Sequence, residues 1–292
     1  SYRASLSRAM EAAMDDRKAP RLRDALYDDR EGPVRKYMRL VLGDGGYWAL
    51  AGFELRTMLL ADLGGALGIF LRRLFYRSMF GKMGRGVIIG RGVTIRHPSK
   101  ISLGDRVAVD DYCTLDARGG PGSAISIGDG TVVSRNTILR TKGGTITVGR
   151  GGGIGSQCIL ASSSALTIGE NLLMASCVCV LAGGEHAFDR TDAPVVEQGM
   201  VSKGGISIGD DVWIGTRATL LDGVRIGDHA VIGACSLVNK PIPPFAVAYG
   251  IPAKQAGDRR SAGNPAVRPT HPGCRAARRG GTAADDAVGE PA

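Results

Sequence analysis

Of the four histidines in this 292-residue chain, one, His186, lies in a stretch unlike its surroundings. Gly184-Glu185-His186-Ala187-Phe188-Asp189 places an imidazole beside one carboxylate, with three more following at Asp189, Asp192 and Glu197. A neutral imidazole whose tautomer is fixed by a carboxylate is suited to take a proton from an attacking hydroxyl or amine near neutral pH. Spacing alone leaves Glu185, Asp189, Asp192 and Glu197 as competitors for that orienting role. The other histidines have structural explanations: His229 sits in Gly227-Asp228-His229-Ala230 at a corner, His97 precedes Pro98 at a turn, and His271 lies in the C-terminal tail. A zinc site of converging histidines is not expected, because His97 lies many positions before His186. The six cysteines, at 113, 158, 177, 179, 235 and 274, form no CxxC pair and read as reduced, packing thiols of a cytoplasmic protein. No metal is expected.

The element that must carry His186 is repetitive. An aliphatic residue, a spacer, a second aliphatic residue and Gly recur as Val87-Ile88-Ile89-Gly90, Ile101-Ser102-Leu103-Gly104, Ile125-Ser126-Ile127-Gly128 and Ile146-Thr147-Val148-Gly149. They recur again as Leu166-Thr167-Ile168-Gly169, Ile206-Ser207-Ile208-Gly209 and Val224-Arg225-Ile226-Gly227. Ile208, Ile214, Leu220, Ile226 and Ile232 expose a six-residue step, the period of short β segments stacked as hexapeptide coils. The 44 glycines and the aromatic share of 5% suit such a fold, with tight corners and small inward side chains. The interval from Leu166 to Ile206 is too long for one coil and must also hold a loop. Periodicity is lost from Ala182 to Gly205, the segment that contains His186. Insertions at one corner of a repeat array are commonly functional.

Residues 1–80 read as helical, with Leu, Met, Ala and Arg dominant and β-branched residues sparse. Over Phe53 to Phe80, apolar residues fall at helical spacing, followed by Arg72, Arg73 and Arg77. Two roles compete for this segment: a cap closing one end of the coil, and peripheral contact with a membrane interface through residues 53–80. The uncharged run Leu63 to Leu71 is far too short to span a bilayer, and residues 1–30 do not resemble a cleavable signal. The formal charge of +9 is spread over the whole chain, with no dense basic block, so nucleic-acid binding is not expected. The expected organisation is a helical segment (1–80), a β-coil domain (81–254), and a disordered tail (255–292) rich in Gly, Ala, Pro and Arg.

Val87 to Lys254 resembles the hexapeptide-repeat acyltransferases, in the branch of maltose and galactoside O-acetyltransferases and exopolysaccharide acetyltransferases. The resemblance rests on the motif around His186, on Ile208-Gly209-Asp210-Asp211-Val212-Trp213-Ile214-Gly215, and on Tyr249-Gly250-Ile251-Pro252-Ala253-Lys254. It implies a mainly β fold, a left-handed parallel β-helix, which is an exception to the right-handed crossover rule. It also implies a homotrimer with active sites between subunits. The activity implied is O-acyl transfer, chiefly acetyl transfer, from acetyl-CoA or another acyl-CoA to a hydroxyl of a saccharide or glycosylated acceptor, with His186 as base. Glu197 matches an acidic position of the family. Trp213 matches the aromatic residue beside the cofactor arm; Thr216, Ala234 and Asn239 match residues lining the same groove, and Lys240 and Lys254 match basic positions near the phosphates. Gly155-Ser156-Gln157 stands where sugar-acetylating relatives carry an acceptor-binding Asn. Acyl transfer to an amino sugar or to serine, and a scaffold without catalysis, are the alternatives.

Overall fold

The structure, a computed structural model, describes residues 32–43 and 45–261; what the sequence suggests for residues 1–31 and 262–292, His271 included, lies outside them. The chain is mainly β, as expected. From Lys82 it winds into a parallel β-solenoid of about eight coils; the first seven each contribute one short strand to each of three sheets, and the last adds Ala246–Gly250 to the second sheet. Each face has a column of aliphatic side chains in register. Leu103, Ile127, Val148, Ile168, Ile208 and Ile226 stack behind the first face. Ile89, Val109, Val133, Ile154, Met174, Ile214 and Ile232 stack behind the second. Ile95, Leu115, Leu139, Leu160, Val180, Leu220 and Val238 stack behind the third. All are buried. Strands of two to four residues are marginal alone. Here, burial of a continuous core from coil to coil holds them.

The corners explain the Gly-Asp pairs of the repeat. A Cβ on Gly209 would meet Asp228 Oδ1 at 2.2 Å and its backbone N at 2.7 Å, so the coils could not close to strand spacing with a larger residue there. The following aspartates each cap the backbone of a neighbouring coil: Asp105 accepts from Arg85 N–H, Asp129 from Asp105 N–H, Asp210 from Glu170 N–H and Asp228 from Asp210 N–H. Leu166 pairs with Ile206, so residues 166–206 make one coil plus an inserted loop, as the spacing required.

Three helices precede the coil: α1 (Pro33–Val41), α2 (Tyr47–Leu60) and α3 (Gly65–Phe75). The helical spacing seen from Phe53 to Phe80 is therefore interrupted between Leu60 and Gly65 and ends at Phe75. Gly68 permits the interruption, since a Cβ there would collide with the Leu63 carbonyl. Tyr76 and Phe80 belong to the hydrophobic core of the solenoid, and Leu60 and Met79 pack against it, so this segment lies on the first coils. Two buried polar side chains pin it. Arg72, 1% exposed, donates from Nε to Ile89 O (2.9 Å) and from Nη1 to Leu60 O (2.8 Å) and Leu63 O (2.7 Å). His97 is buried rather than a simple turn residue: its Nε2 lies 3.0 Å from Arg39 O, its backbone N–H donates to Val41 O, and burial lowers its pKa. Among the described residues no helix is long and apolar enough to cross a membrane.

At the other end, residues 255–261 depart from the expected disordered tail. Ala253–Asp258 turns back and pairs antiparallel with Ala246–Gly250, followed by a helical turn at Arg259–Ser261. The exposed edge of the second sheet supplies the unpaired backbone groups that make this pairing favourable.

Replacing Arg72 with Ala leaves three carbonyls without their donor and should destabilise the protein by about 2–4 kcal/mol. Urea denaturation followed by circular dichroism measures the change, and hydrogen exchange should show the loss of protection concentrated in residues 33–75.

Candidate active site

All variation in coil length falls at one edge of the solenoid. From first to second face, and from second to third, consecutive core positions are six residues apart in every coil, as in Ile208, Ile214 and Leu220. From third back to first face the step varies, and the longest excursion, between Cys179–Ala182 and Ile206–Ile208, carries His186. The excursion is less irregular than the sequence suggests. Glu185–His186 pairs antiparallel with Met200–Val201, with His186 opposite Met200, to form a hairpin. At its tip Gln198 Nε2 donates to Arg190 O (2.7 Å) and Ala193 O (2.9 Å), while its Oε1 accepts from Arg190 N–H (3.0 Å).

The base of the hairpin is tied down by a residue the sequence did not single out. Asp222, 5% exposed, belongs to the next coil and accepts from Ser202 Oγ (3.3 Å), Lys203 N–H (2.5 Å) and Gly205 N–H (2.9 Å). Its only signal in the sequence is the Asp222-Gly223 corner pair. Gly205 must be glycine, because its φ is +89° and a Cβ would meet Ala165 O.

His186 is exposed and lines a groove of about 340 Å³ with Glu185, Ala187, Phe188, Asp189, Val201 and Lys203. Glu185 faces Lys203 at 3.4 Å across the hairpin, and Asp192 is held in a fork by Arg190 at 2.6 and 3.0 Å, which lowers the Asp192 pKa. Those two carboxylates therefore have cationic partners. Glu197 lies in the helical turn Val195–Glu197 near the tip, exposed and outside the groove lining, whereas Asp189 is within it. Among the described residues no carboxylate is hydrogen-bonded to the His186 imidazole.

The remaining candidates occupy other parts of the solenoid. Trp213 points outward from the second face, 51% exposed, between Leu173 and Val231 in register. Thr216 and Ala234 stack at the corner between second and third faces, where Cys235 N–H donates to Thr216 O and Thr216 Oγ1 donates to Ser176 O at 2.7 Å. Asn239 and Lys240 follow Leu237–Val238 on the edge that carries the hairpin, two coils further on, and Lys254 pairs with Tyr249 in the terminal hairpin. Asn239, Lys240 and Lys254 are exposed. The second face lies opposite the edge that bears His186. Within one chain, therefore, Trp213 and His186 are on opposite sides.

His229 proves more than an exposed corner residue. Its Nδ1 is 3.0 Å from Asp211 Oδ2, which also accepts from Arg259 Nη1 (2.8 Å), and these contacts lower the Asp211 pKa, the hydrogen bond with His229 most. The His229 ring stacks on Phe245 with centroids 4.7 Å apart. Arg259 is one of the residues that the sequence assigns to the tail, so this cluster fastens the C-terminal strand to the last corners.

Residues 205–240 match the family model described as bacterial transferase hexapeptide (six repeats). These coils therefore carry the hexapeptide repeat that the family model describes. The match spans the hexapeptide coils that hold Trp213, Thr216, Ala234, Asn239 and Lys240, and ends before Lys254. A protein of Mycobacterium tuberculosis named a probable acetyltransferase is 28% identical over 177 residues, 60% of this chain and 50% of its own length. The galactoside O-acetyltransferase of Escherichia coli is 35% identical over 112 residues, 38% of this chain and 53% of its own. The hexapeptide-repeat chain thus spans about half the length of these curated relatives. The crystal structure of a maltose O-acetyltransferase from Clostridium difficile aligns over 73% of this chain and 89% of that one, with 21% identity and a TM-score of 0.39.

Replacing Asp222 with Ala should remove the acceptor for two backbone N–H groups at the hairpin base, at a cost of about 1–3 kcal/mol. The check is hydrogen exchange: amides 203 and 205 should lose protection, while those of the core strand Trp213–Ile214 keep theirs.

Proposed function

We propose that this hexapeptide-repeat protein is an O-acyltransferase that moves an acyl group, chiefly acetyl, from coenzyme A to a hydroxyl of a saccharide or glycosylated acceptor. The observation that carries this reading is the exposed His186 imidazole, free of hydrogen-bonded partners among the described residues, on a braced hairpin at the edge of a hexapeptide coil. The similarity to a galactoside O-acetyltransferase supports the acceptor class.

The chemistry is a direct transfer in a ternary complex. An alcohol is a weak nucleophile at neutral pH, so His186 takes its proton as the oxygen attacks the thioester carbonyl. The new C–O bond forms, backbone N–H groups hold the oxyanion, and collapse breaks the C–S bond. The departing thiolate recovers the proton from the imidazolium, returning His186 to its neutral form. Asp189, which shares the groove, is placed to steady the imidazolium, as is Glu197 if the hairpin tip folds inward on binding. For the donor, the outward Trp213 indole offers a surface for the pantetheine arm, Thr216, Ala234 and Asn239 line its path, and the Lys240 and Lys254 ammonium groups meet phosphate.

This arrangement needs more than one chain, since Trp213 and His186 of one protomer are on opposite sides. We take the assembly to be a homotrimer in which the second face of one subunit lies beside the hairpin edge of the next. Ile88, Val132, Leu173 and Trp213 form an exposed apolar column on that face, each 44–58% exposed apart from Val132 at 43%, which supports contact there.

His186→Ala should lower kcat for acetyl transfer to a sugar by about two to four orders of magnitude while leaving coenzyme A affinity nearly unchanged. Lys254→Ala should show the opposite pattern, a weaker donor interaction with kcat largely preserved. Steady-state kinetics, calorimetric titration with coenzyme A and a melting curve for each variant test both; wild-type turnover by His186→Ala would remove it as the base. Sedimentation equilibrium should give the mass of three chains, and Leu173→Asp, on the exposed column, should shift the protein toward monomer with loss of turnover.

A further inference from the structure

The helical cap has a second surface that its capping role leaves unused. On α2, Leu50 and Phe53 are buried and Leu60 packs on the solenoid core, which fixes the inward side of the helix. Trp48, Leu55 and Leu59 lie on the opposite side at the spacing of one helical stripe, and Trp48 is 91% exposed. On α3 the inward side is set by Gly68 and the buried Arg72, and Leu67, Phe70 and Leu74 form a stripe facing away, each about 60% exposed. Both helices thus carry an apolar stripe toward solvent, on the side away from the one fixed against the protein. Scattered exposed apolar residues are ordinary, but two such stripes on adjacent helices mark a contact surface.

The charges beside the stripes indicate what covers them. Arg73 lies one turn from Phe70, and Arg77 one turn from Leu74; both are exposed and have no ion-pair or hydrogen-bond partner among the described residues. The nearby acids are engaged elsewhere: Glu54 accepts from Tyr37 Oη at 2.7 Å, and Asp62 lies 3.6 Å from Arg91. A second copy meeting this face symmetrically would oppose arginine to arginine with few free carboxylates to answer them. A lipid surface with anionic headgroups answers every guanidinium while its acyl region receives Trp48, Phe70 and the leucines. The length of α2, 14 residues, corresponds to about 21 Å, short of the roughly 30 Å hydrocarbon core, so the helices would lie in the interface rather than cross it.

We infer that α2 and α3 form a docking surface for an anionic membrane, with the outward stripes inserted at the acyl boundary and Arg73 and Arg77 at the headgroups. This rests on the fold alone and is independent of the acyl-transfer reading.

The test is co-sedimentation of the full chain with vesicles of phosphatidylglycerol and phosphatidylcholine, set against vesicles of phosphatidylcholine alone. The anionic vesicles should retain the protein, less so as salt rises. The double substitution Arg73→Gln with Arg77→Gln should weaken partitioning by about twenty-five-fold, roughly fivefold per arginine. Leu67→Gln with Phe70→Gln should weaken it at least tenfold, since both lose apolar burial. Trp48 gives a readout with the helical face intact. In a Trp213→Phe chain it is the remaining tryptophan, and its emission should shift to the blue and be quenched by brominated lipid when vesicles are added. Absence of retention and of a Trp48 shift with anionic vesicles overturns the inference. Retention that neither substitution changes also overturns it, and so does self-association in lipid-free buffer that both substitutions abolish without any vesicle binding, which would assign the face to a second copy.

Discussion

The constraint on which the molecule depends is that each coil must lie on the one before it at strand spacing, about 4.8 Å, at every corner as well as along every face. Aliphatic columns satisfy this on the faces. At two of the three edges it is met by a turn residue with positive φ in successive coils: Arg106, Gly130, Gly151, Asn171, Asp211, His229 and Phe245 along one, and Tyr112, Asn136, Gln157, Cys177, Arg217 and Cys235 along the other. For residues with a Cβ this conformation costs on the order of 1 kcal/mol or more. Each of these residues donates its backbone N–H to a carbonyl of the preceding coil, for example Arg106 to Arg85 O, His229 to Asp210 O and Cys235 to Thr216 O. The strain at each corner is therefore tied to a hydrogen bond that helps fix the register.

The third edge escapes this rule, and that difference accounts for the location of the candidate site. Because the step from third to first face varies in length, insertions there do not disturb the columns. A twenty-residue hairpin can grow from one coil provided its ends return to strand spacing, and this is what the Asp222 carboxylate and the Gly205 backbone secure. The imidazole of His186 thus stands on an insertion that leaves the columns undisturbed and whose base is fixed to the next coil.

Legibility in the sequence followed the range of the interactions. The coil, its six-residue step, the inserted segment and the helical character of the N-terminal region are periodic or compositional properties, and windows of a few residues carry them. The helix break at Leu63 and the burial of Arg72 and His97 depend on contacts between residues far apart, and nothing local distinguishes Arg72 from the exposed Arg73 beside it. The same holds at the site. His186 is visible because it interrupts a repeat. The pairing of Glu185 with Lys203, the fork between Arg190 and Asp192 and the position of Glu197 outside the groove depend on how the hairpin closes. Order beyond Lys254 is not legible for a related reason: Ala253–Asp258 has little strand propensity of its own and is held by the sheet edge it completes, with Arg259 anchored on Asp211.

The assembly and the helical face bear on each other. In the proposed trimer, contact along the length of the second face would set the threefold axis along the coil axis, and cyclic symmetry gives every subunit the same sense along that axis. All three helical caps then stand at the same end. A single pair of short interfacial helices holds a membrane weakly and reversibly, as a single acyl chain does. In the proposed trimer three pairs facing one surface would act together, the second and third contacts forming at the high effective concentration set by the first, so that avidity would exceed the affinity of any one cap. The hairpin edges would run down the sides of the same trimer, away from the lipid end, leaving the grooves open to donor and acceptor while the caps are engaged.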